Sequence, residues 1–552
     1  MAKKKQQHYE ARKFDNVRAI LDFWANETPD NDIYQFRKGK GDEIEHVTYR
    51  QFYELTENLG SALHALGVGK THVACLGENS FDWISAYITV LKSDSAFVPV
   101  DKDLPTADRL HIINESDSEI LFFSKTNEKW VREHMGEMPA VKYFIGFKLK
   151  EDEGNLLSYS KLIEAGSQMD RSAYDALCSD PNELKLMVYT SGTTGIAKGV
   201  MLTETNMVSM LYYGLQITRI YDKGLSVLPY HHTYEAVTDI IGSMYFGSTL
   251  CINNSLKNVV KDLKLFQPSY IFIVPALAEF MYSSIMRNIR TQGKEKTFQG
   301  AVTLSKGLRK LGIDLRPKLF KTVRDVFGGR MIKIVCGGAP IREELGRFFD
   351  DIGIFFVGGY GITECSPLIS VNDEYSLTYD TVGNRIPCLE WRIDEPNEEG
   401  IGEICVKSPT VMLGYYKQPE KTAEVIVDGW FHTGDYGRLT KEDRLVITGR
   451  KKNIIVLNNG KNVYPEEIEN YIQQLPTVEE VVVRGVRNEK GEEVSLMAEV
   501  YPVEDCGATE QDILRDAQQA LSVLPSYKNI TQVLLRTEPF VKTSTKKIKR
   551  DA

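Results

Sequence analysis

From residue 48 onward the sequence switches back and forth between two hydrophobic periods, and this restricts the fold more than any other feature. Phe52, Leu55, Leu59, Leu63 and Leu66 recur on one helical face, behind a Thr48/Gln51 pair at capping-box spacing. A short apolar run at 73–76 then reads as a strand. The pattern predicts a helix over 80–93, a strand over 96–100, a helix over 105–115 and a strand over 119–124. It continues with strands over 225–228, 270–274 and 332–336 and a helix over 341–350. Strands alternating with helices build a mostly parallel sheet covered on both faces. The expected class is therefore α/β.

A chain of 552 residues exceeds what one core can organise. From about 380 to 448 the strands shorten and Gly and Pro turns multiply, which indicates a small β subdomain. The pattern changes again near 450. A helix over 465–475 puts Ile468, Tyr471, Ile472 and Leu475 on one face. Strands over 478–486 and 494–501, a helix over 509–524 and a strand over 530–536 follow. The expected division is an N-terminal domain, 1–450, of parallel sheets, helices and the β subdomain, and a small mobile α+β domain, 451–552.

The formal net charge of −9 argues against a general nucleic-acid binder. The basic runs at 3–5, 450–452 and 546–550 are local. Eight cysteines are scattered with no CxxC pair, so neither a zinc clip nor a redox pair is expected, and a reducing cytoplasm is. The basic N-terminus lacks the apolar segment of a signal peptide. The longest apolar stretch, 270–282, is broken by Pro275 and Glu279 and falls short of the roughly 20 residues that span a bilayer. Peripheral membrane contact stays open.

The chemistry is concentrated in residues 189–199, Tyr-Thr-Ser-Gly-Thr-Thr-Gly-Ile-Ala-Lys-Gly. Glycines let backbone N–H groups close on an anion, and successive N–H groups form a nest. Thr190, Ser191, Thr193 and Thr194 add donors, Gly192 and Gly195 add room, and Lys198 adds a point charge. The apolar residues before the loop suggest a strand, and 203–215 reads as a helix. By composition alone the same loop is an ordinary Gly/Ser/Thr turn. Residues 67–71, Gly-Val-Gly-Lys-Thr, imitate the end of a Walker loop, but they lack its first glycine and sit between a helix and a strand, the reverse of what that motif needs. His231 and His232 are adjacent, so on a strand they point apart, and a pocket or core role suits them better than metal ligation. No Gly-x-Ser-x-Gly elbow occurs.

Several weaker pieces lie further along. Gly337-Gly338-Ala339-Pro340 and Gly358-Gly359-Tyr360-Gly361-Ile362-Thr363-Glu364 each follow a strand, and ligands of open α/β sheets bind at such ends. Tyr360 could stack on a base and Glu364 could hold a divalent cation. Asp435, on the turn His432-Thr433-Gly434-Asp435, could accept ribose hydroxyls, and Arg450 could reach ribose or phosphate.

Taken in order, these pieces resemble the adenylate-forming superfamily of acyl-CoA synthetases, luciferases and peptide-synthetase adenylation domains. The resemblance runs from about residue 48 to 550. It is closest to long-chain fatty acid–CoA ligases, through Leu228-Pro229-Tyr230-His231-His232-Thr233-Tyr234-Glu235, the 428–435 segment and Asn459-Gly460-Lys461-Asn462-Val463-Tyr464-Pro465-Glu466-Glu467.

The resemblance implies that a fatty acid is coupled to AMP with release of pyrophosphate, and that coenzyme A then displaces AMP. ATP, Mg²⁺ and coenzyme A are the implied small molecules. An acyl carrier protein as acceptor, or a different carboxylic acid, remains the alternative. Carried over by position, 190–198 takes the β- and γ-phosphates, and Thr190 with Glu364 holds Mg²⁺. Gly338, Ala339, Pro340 and Tyr360, with Gly361 and Thr363, line the nucleotide pocket. Asp435 and Arg450 bind ribose and the α-phosphate region. Lys547 is the implied catalytic lysine of adenylation, Lys452 the hinge, Gly460 part of the coenzyme A channel, and His232 the wall between nucleotide and acyl tunnel. Four positions beyond His232, where some relatives carry a Trp gate, stands Ala236, so chain length does not carry over.

Overall fold

The computed structural model describes residues 9–39, 41–67, 69–177, 179–191, 197–253, 255–338, 341–374, 377–458, 460–488, 491–504, 506–542 and 548–550. Two mixed sheets carry the large part of the molecule. The first has nine strands, in the order Asn384–Arg385, Leu368–Val371, Phe355–Gly361, Lys333–Cys336, Tyr270–Ile273, Lys223–Ser226, Thr249–Ile252, Asp32–Arg37 and Ile44–Thr48. The second has eight: Gly414–Tyr415, Ala197–Thr203, Leu184–Ser191, Ala96–Val100, His72–Leu76, Ser118–Phe123, Tyr143–Gly146 and Leu156–Ser158. Pairing is parallel in the middle of the first sheet and antiparallel at both of its ends. In the second, antiparallel pairing is confined to the end carrying 184–203 and 414–415.

Local sequence explains these elements. Ala96–Val100 is buried at all five positions, as a strand covered on both faces must be. Thr48/Gln51 does form a capping box on the helix Tyr49–Ala65, and Thr203/Asn206 forms one on Glu204–Ile217. Such a cap is worth about 1 kcal/mol and fixes where the helix starts. The apolar stretch 270–282 splits at Pro275, which has no N–H to give a strand ladder and whose fixed φ suits the first position of a helix. The result is the strand Tyr270–Ile273 and the helix Pro275–Thr291. No helix among the described residues is long and apolar enough to cross a membrane.

The helix expected over 203–215 forms as Glu204–Ile217, and the chain reaches it through an additional strand. Ala197–Thr203 pairs antiparallel with Leu184–Ser191, Thr190 opposite Lys198 and Ser191 opposite Ala197, and the two strands form a hairpin. The β subdomain begins later than 380, because Asn384–Arg385 joins the nine-stranded sheet. The separate antiparallel sheet holds Glu390–Asp394, Gly402–Lys407, Ile426–Val427, Trp430–Leu439 and Leu445–Arg450.

Beyond the short turn Lys451–Asn453, the helices Pro465–Ile472 and Glu510–Ala520 cover the strands Val478–Arg487, Glu493–Pro502 and Gln532–Leu535. Their buried cluster, centred on Ile468, Ile472, Val481, Leu496, Val500 and Ile513, is separate from the cores of the large sheets.

One ion pair is fully enclosed in the large core. Lys92, at the end of the helix Phe81–Leu91, pairs with Glu57 of Tyr49–Ala65 and donates to Thr56 Oγ1 at 2.9 Å. Removing one partner of such a pair strands the other charge at a cost of about 3–5 kcal/mol. Glu57→Leu is therefore expected to lower the urea midpoint clearly, and Glu57→Leu with Lys92→Met to recover most of the loss. A double variant as unstable as the single one would show that the pair is not the cause.

Candidate functional site

The site forms where strands of both large sheets end against the antiparallel sheet. Phe355–Gly361 carries Tyr360, and the turn Thr363–Cys365 directly after it carries Glu364. Trp430–Leu439 and Leu445–Arg450 pair with Asp435 directly opposite Arg450. Arg450 Nε lies 2.6 Å from Asp435 Oδ1, and the Tyr360 hydroxyl donates to Asp435 Oδ2 at 2.6 Å. Asp435 is only 3% exposed. Its turn is braced: Thr433 Oγ1 donates to the Ile404 carbonyl at 2.8 Å and accepts the Asp435 N–H at 3.0 Å. Burial, and then the Asp435 charge, hold the Tyr360 phenol well above its ordinary pKa. The group expected to accept ribose hydroxyls is thus already clamped on both oxygens, and a diol would have to share or exchange those contacts.

A second cluster joins the hairpin to this one. Lys198 Nζ sits 4.9 Å from the centre of the Tyr415 ring, and the Tyr415 hydroxyl donates to Glu364 Oε1 at 2.9 Å. Gly414–Tyr415 is pinned to the hairpin by pairing with Val200 and Met201, and the Met412 N–H donates to the Glu364 carbonyl at 2.9 Å. Burial and Glu364 raise the Tyr415 phenol. Glu364 stands four residues beyond Tyr360, which keeps the two clusters side by side. Lys198, Glu364, Tyr360, Asp435 and Arg450, up to 252 positions apart in the chain, therefore share one locality.

The glycines have separate reasons. Gly338 has φ +87°, which a side chain would strain. A Cβ on Gly361 would sit 1.9 Å from the Pro367 carbonyl oxygen, so chain packing alone demands glycine there, whether or not a nucleotide approaches. Thr190 and Thr363 are half-buried. Gly192, Thr193, Thr194, Gly195, the Ser191 side chain, Ala339, Pro340 and Lys547 lie outside the described residues. Lys452 and Gly460 are exposed past the end of Leu445–Arg450, and Gly460 has φ +77°.

His232 is half-buried, its ring 4.4 Å from that of His231, whose Nε2 lies 3.3 Å from Asp101 Oδ2. Burial lowers the His231 pKa although Asp101 opposes it. Asn79 holds this loop, donating to the Leu228 carbonyl at 2.7 Å and accepting the Tyr230 N–H at 3.2 Å. Asn79 and Tyr415 are contacts that sequence reasoning missed. Each is a single polar or aromatic residue with no motif around it. Directly after His232 the chain forms a π-helix, Tyr234–Ile241, a form often found at functional sites. Its Glu235 and Asp239 are wholly buried. Ser226 Oγ donates to Glu235 Oε1 at 2.5 Å. Burial pushes the Asp239 carboxyl up to about 8, and burial with the neighbouring Asp239 raises Glu235 as well.

Among the described residues, Asp394, Cys405 and His432 bring three metal-ligating atoms within 4.8 Å of one another. Two cations oppose a metal there: Arg392 beside the Cys405 thiol, and Lys451, 2.7 Å from the Glu403 carboxylate that contacts His432.

The AMP-binding enzyme family profile matches residues 21–416, well over half of the chain, and the protein belongs to that family. Among curated relatives, a long-chain-fatty-acid–CoA ligase of Mycobacterium bovis is 29% identical over 496 residues, covering 85% of this chain and 80% of that protein. A long chain acyl-CoA synthetase of Arabidopsis thaliana is 27% identical, covering 81% of this chain and 72% of its own. Among solved structures, the carboxylic acid reductase didomain of Segniliparus rugosus in complex with AMP superposes with a TM-score of 0.79 at 20% identity, covering 98% of this chain and 80% of that one. The Mycobacterium tuberculosis fatty acyl CoA synthetase does so with 0.68 at 23%, covering 97% of both. These likenesses confirm the α/β architecture.

The buried Asp239 carboxyl predicts a pH effect on stability. Its folded pKa of about 8 exceeds its unfolded value near 4, so across that window the folded chain holds a proton the unfolded chain releases. Stability therefore falls as pH rises from about 4 to about 8. Asp239→Asn, which cannot ionise, is expected to melt higher than the parent at pH 8 and close to it at pH 4.5. Equal shifts at both pH values in thermal scans would reject this.

Proposed function

We propose that the protein is a long-chain fatty acid–CoA ligase. It couples a fatty acid to AMP and then transfers the acyl group to coenzyme A. The observation that carries this reading is the convergence of Lys198, Glu364, Asp435 and Arg450 through Tyr415 and Tyr360, in a chain whose curated relatives bear that name.

A carboxylate cannot acylate a thiol directly, because oxide is a poor leaving group. In the first step a carboxylate oxygen bonds to the α-phosphorus of ATP and the bond to pyrophosphate breaks. In the second the thiol sulfur attacks the acyl carbon, AMP leaves, and the thiol proton is released. Positioning and neutralisation of developing charge supply most of the catalysis in such phosphoryl transfer. Lys198 brings one positive charge to the phosphates, held back by the face of Tyr415 until they arrive. Arg450, oriented by Asp435, offers a fork to ribose and α-phosphate. Thr190 and Glu364 are hard oxygen donors of the kind Mg²⁺ takes, and the ion would neutralise phosphate charge. Tyr360, with Gly338, Ala339, Pro340, Gly361 and Thr363, lines the nucleotide pocket. His232 walls the acyl channel.

Residues 451–552 act as a lid that turns about Lys452. It presents Lys547 for adenylation and Gly460 for thioester formation, so one site serves a phosphoryl step and then a thiol attack. Cytoplasmic placement suits the eight scattered cysteines. An acyl carrier protein as acceptor, or another carboxylic acid, remains the second reading.

A series of fatty acids assayed with ATP, Mg²⁺ and coenzyme A is expected to give AMP and acyl-CoA, with the best kcat/KM among medium to long chains. Turnover only with a carrier protein, or only with aryl acids, would replace this reading. Lys547→Ala is expected to abolish acyl-adenylate formation yet keep thioester formation from supplied acyl-AMP. Equal loss of both half-reactions would remove Lys547 from the first step.

A further inference from the structure

The chain is acidic overall, with a formal net charge of −9, yet residues 287–330 hold twelve Lys and Arg against three Asp and Glu. This local excess of nine positive charges lies on the helices Pro275–Thr291 and Glu295–Lys310 and the short helices after them. Part of it is neutralised: Lys306 pairs with Asp351, Arg309 and Arg316 with Asp350, and Lys321 with Asp325. Arg287, Lys294, Lys296, Lys310 and Lys318 are exposed and make no ion pair among the described residues.

Large apolar side chains stand exposed in the same stretch. Leu311 is 76% exposed, Leu304 54% and Ile313 46%, with Phe280 at 60% on the preceding helix. Helical geometry sorts the residues of Glu295–Lys310. At roughly 100° per residue, Val302 and Ser305 turn inward and Phe298 packs beside them. Leu304 and Leu311, seven positions apart, turn outward together, with Gly300 and Gly307 beside them and Lys296 and Lys310 at the margin. Glu295, the acid of this helix, lies on the opposite side.

We propose that the outer face of Glu295–Lys310 and the 311–319 segment dock on an anionic lipid bilayer. Leu304, Leu311 and Ile313 enter the headgroup boundary, and Lys296, Lys310 and Lys318 face the lipid phosphates. A polyanion such as nucleic acid would need the cations but give the leucines nothing to enter. An acidic protein surface would likewise leave them in water. A bilayer with anionic headgroups satisfies both, because interfacial helices bind through buried apolar area together with basic attraction. The inference rests on the proposed function only for its benefit, since a long-chain acid partitions into membranes and docking brings the enzyme to its substrate.

The test is flotation of the full chain with vesicles of phosphatidylcholine, alone or mixed with phosphatidylglycerol, with no acid or ATP present. Binding is expected to the mixed vesicles and to weaken strongly between about 0.1 M and about 1 M salt, as the Debye length shortens from about 10 Å to about 3 Å. Leu304→Ser with Leu311→Ser, and separately Lys296→Glu with Lys310→Glu, are each expected to reduce partitioning about tenfold. Lys125→Glu with Lys129→Glu, on another surface, is expected to leave it unchanged. Turnover of a short, water-soluble acid should match the parent in all three, which shows them folded. No binding to mixed vesicles, equal loss in the Lys125/Lys129 variant, or retention on duplex DNA without vesicle binding would each overturn the proposal. Because binding is read without turnover, a wrong substrate assignment would leave the vesicle result standing.

Discussion

The carboxylate of Asp435 accepts from Tyr360 on one oxygen and pairs with Arg450 on the other. Two sheets meet in those contacts: Tyr360 lies at the end of a strand of the nine-stranded sheet, and Asp435 and Arg450 lie opposite each other on paired strands of the antiparallel sheet. A buried carboxylate without partners is costly, so each partner also stabilises the fold. With the acid clamped, the Arg450 guanidinium has a fixed base from which to reach a ligand. The same contacts keep Tyr360 in place, and Glu364 follows four residues later. The Lys198 end is built alike, with Lys198 resting on a ring that is itself bonded to Glu364.

The C-terminal unit meets this assembly through a long ion pair and a ring contact. Lys528 lies 3.9 Å from Glu399, and the Tyr436 and Tyr464 rings are 5.9 Å apart. Its own apolar cluster is closed within itself. Contacts of this kind exchange for water at modest cost, which supports the lid role proposed for this unit. The buried carboxyls behind His232 follow the opposite logic. Glu235 and Asp239 lie on an irregular helix in a core rich in tyrosines, and burial raises the pKa of both carboxyls.

Much of the fold was legible because its causes are local. The Thr48 cap, the all-buried run 96–100 and the helix start at Thr203 depend on neighbouring side chains, and all three occur as read. The strand 197–203 was not legible. Its burial does not alternate, and it is a strand because 184–191 lies on one side and 414–415 on the other. The basic surface at 287–330 escaped for a related reason. Its cations are dispersed among neutral residues, so no run of like charges marks it, and only a windowed charge count would have shown it.

By itself, the sequence determined the element types, the order of the chemical groups and hence the family, because periodicity, caps and Gly-rich turns act over a few residues. Which groups touch was decided by tertiary structure alone. Nothing near Asp435 in the chain announces Tyr360, and nothing near Lys198 announces Tyr415. Contacts across 75 and 217 positions arise from how two sheets and a subdomain pack, which is a property of their buried faces and not of any local segment.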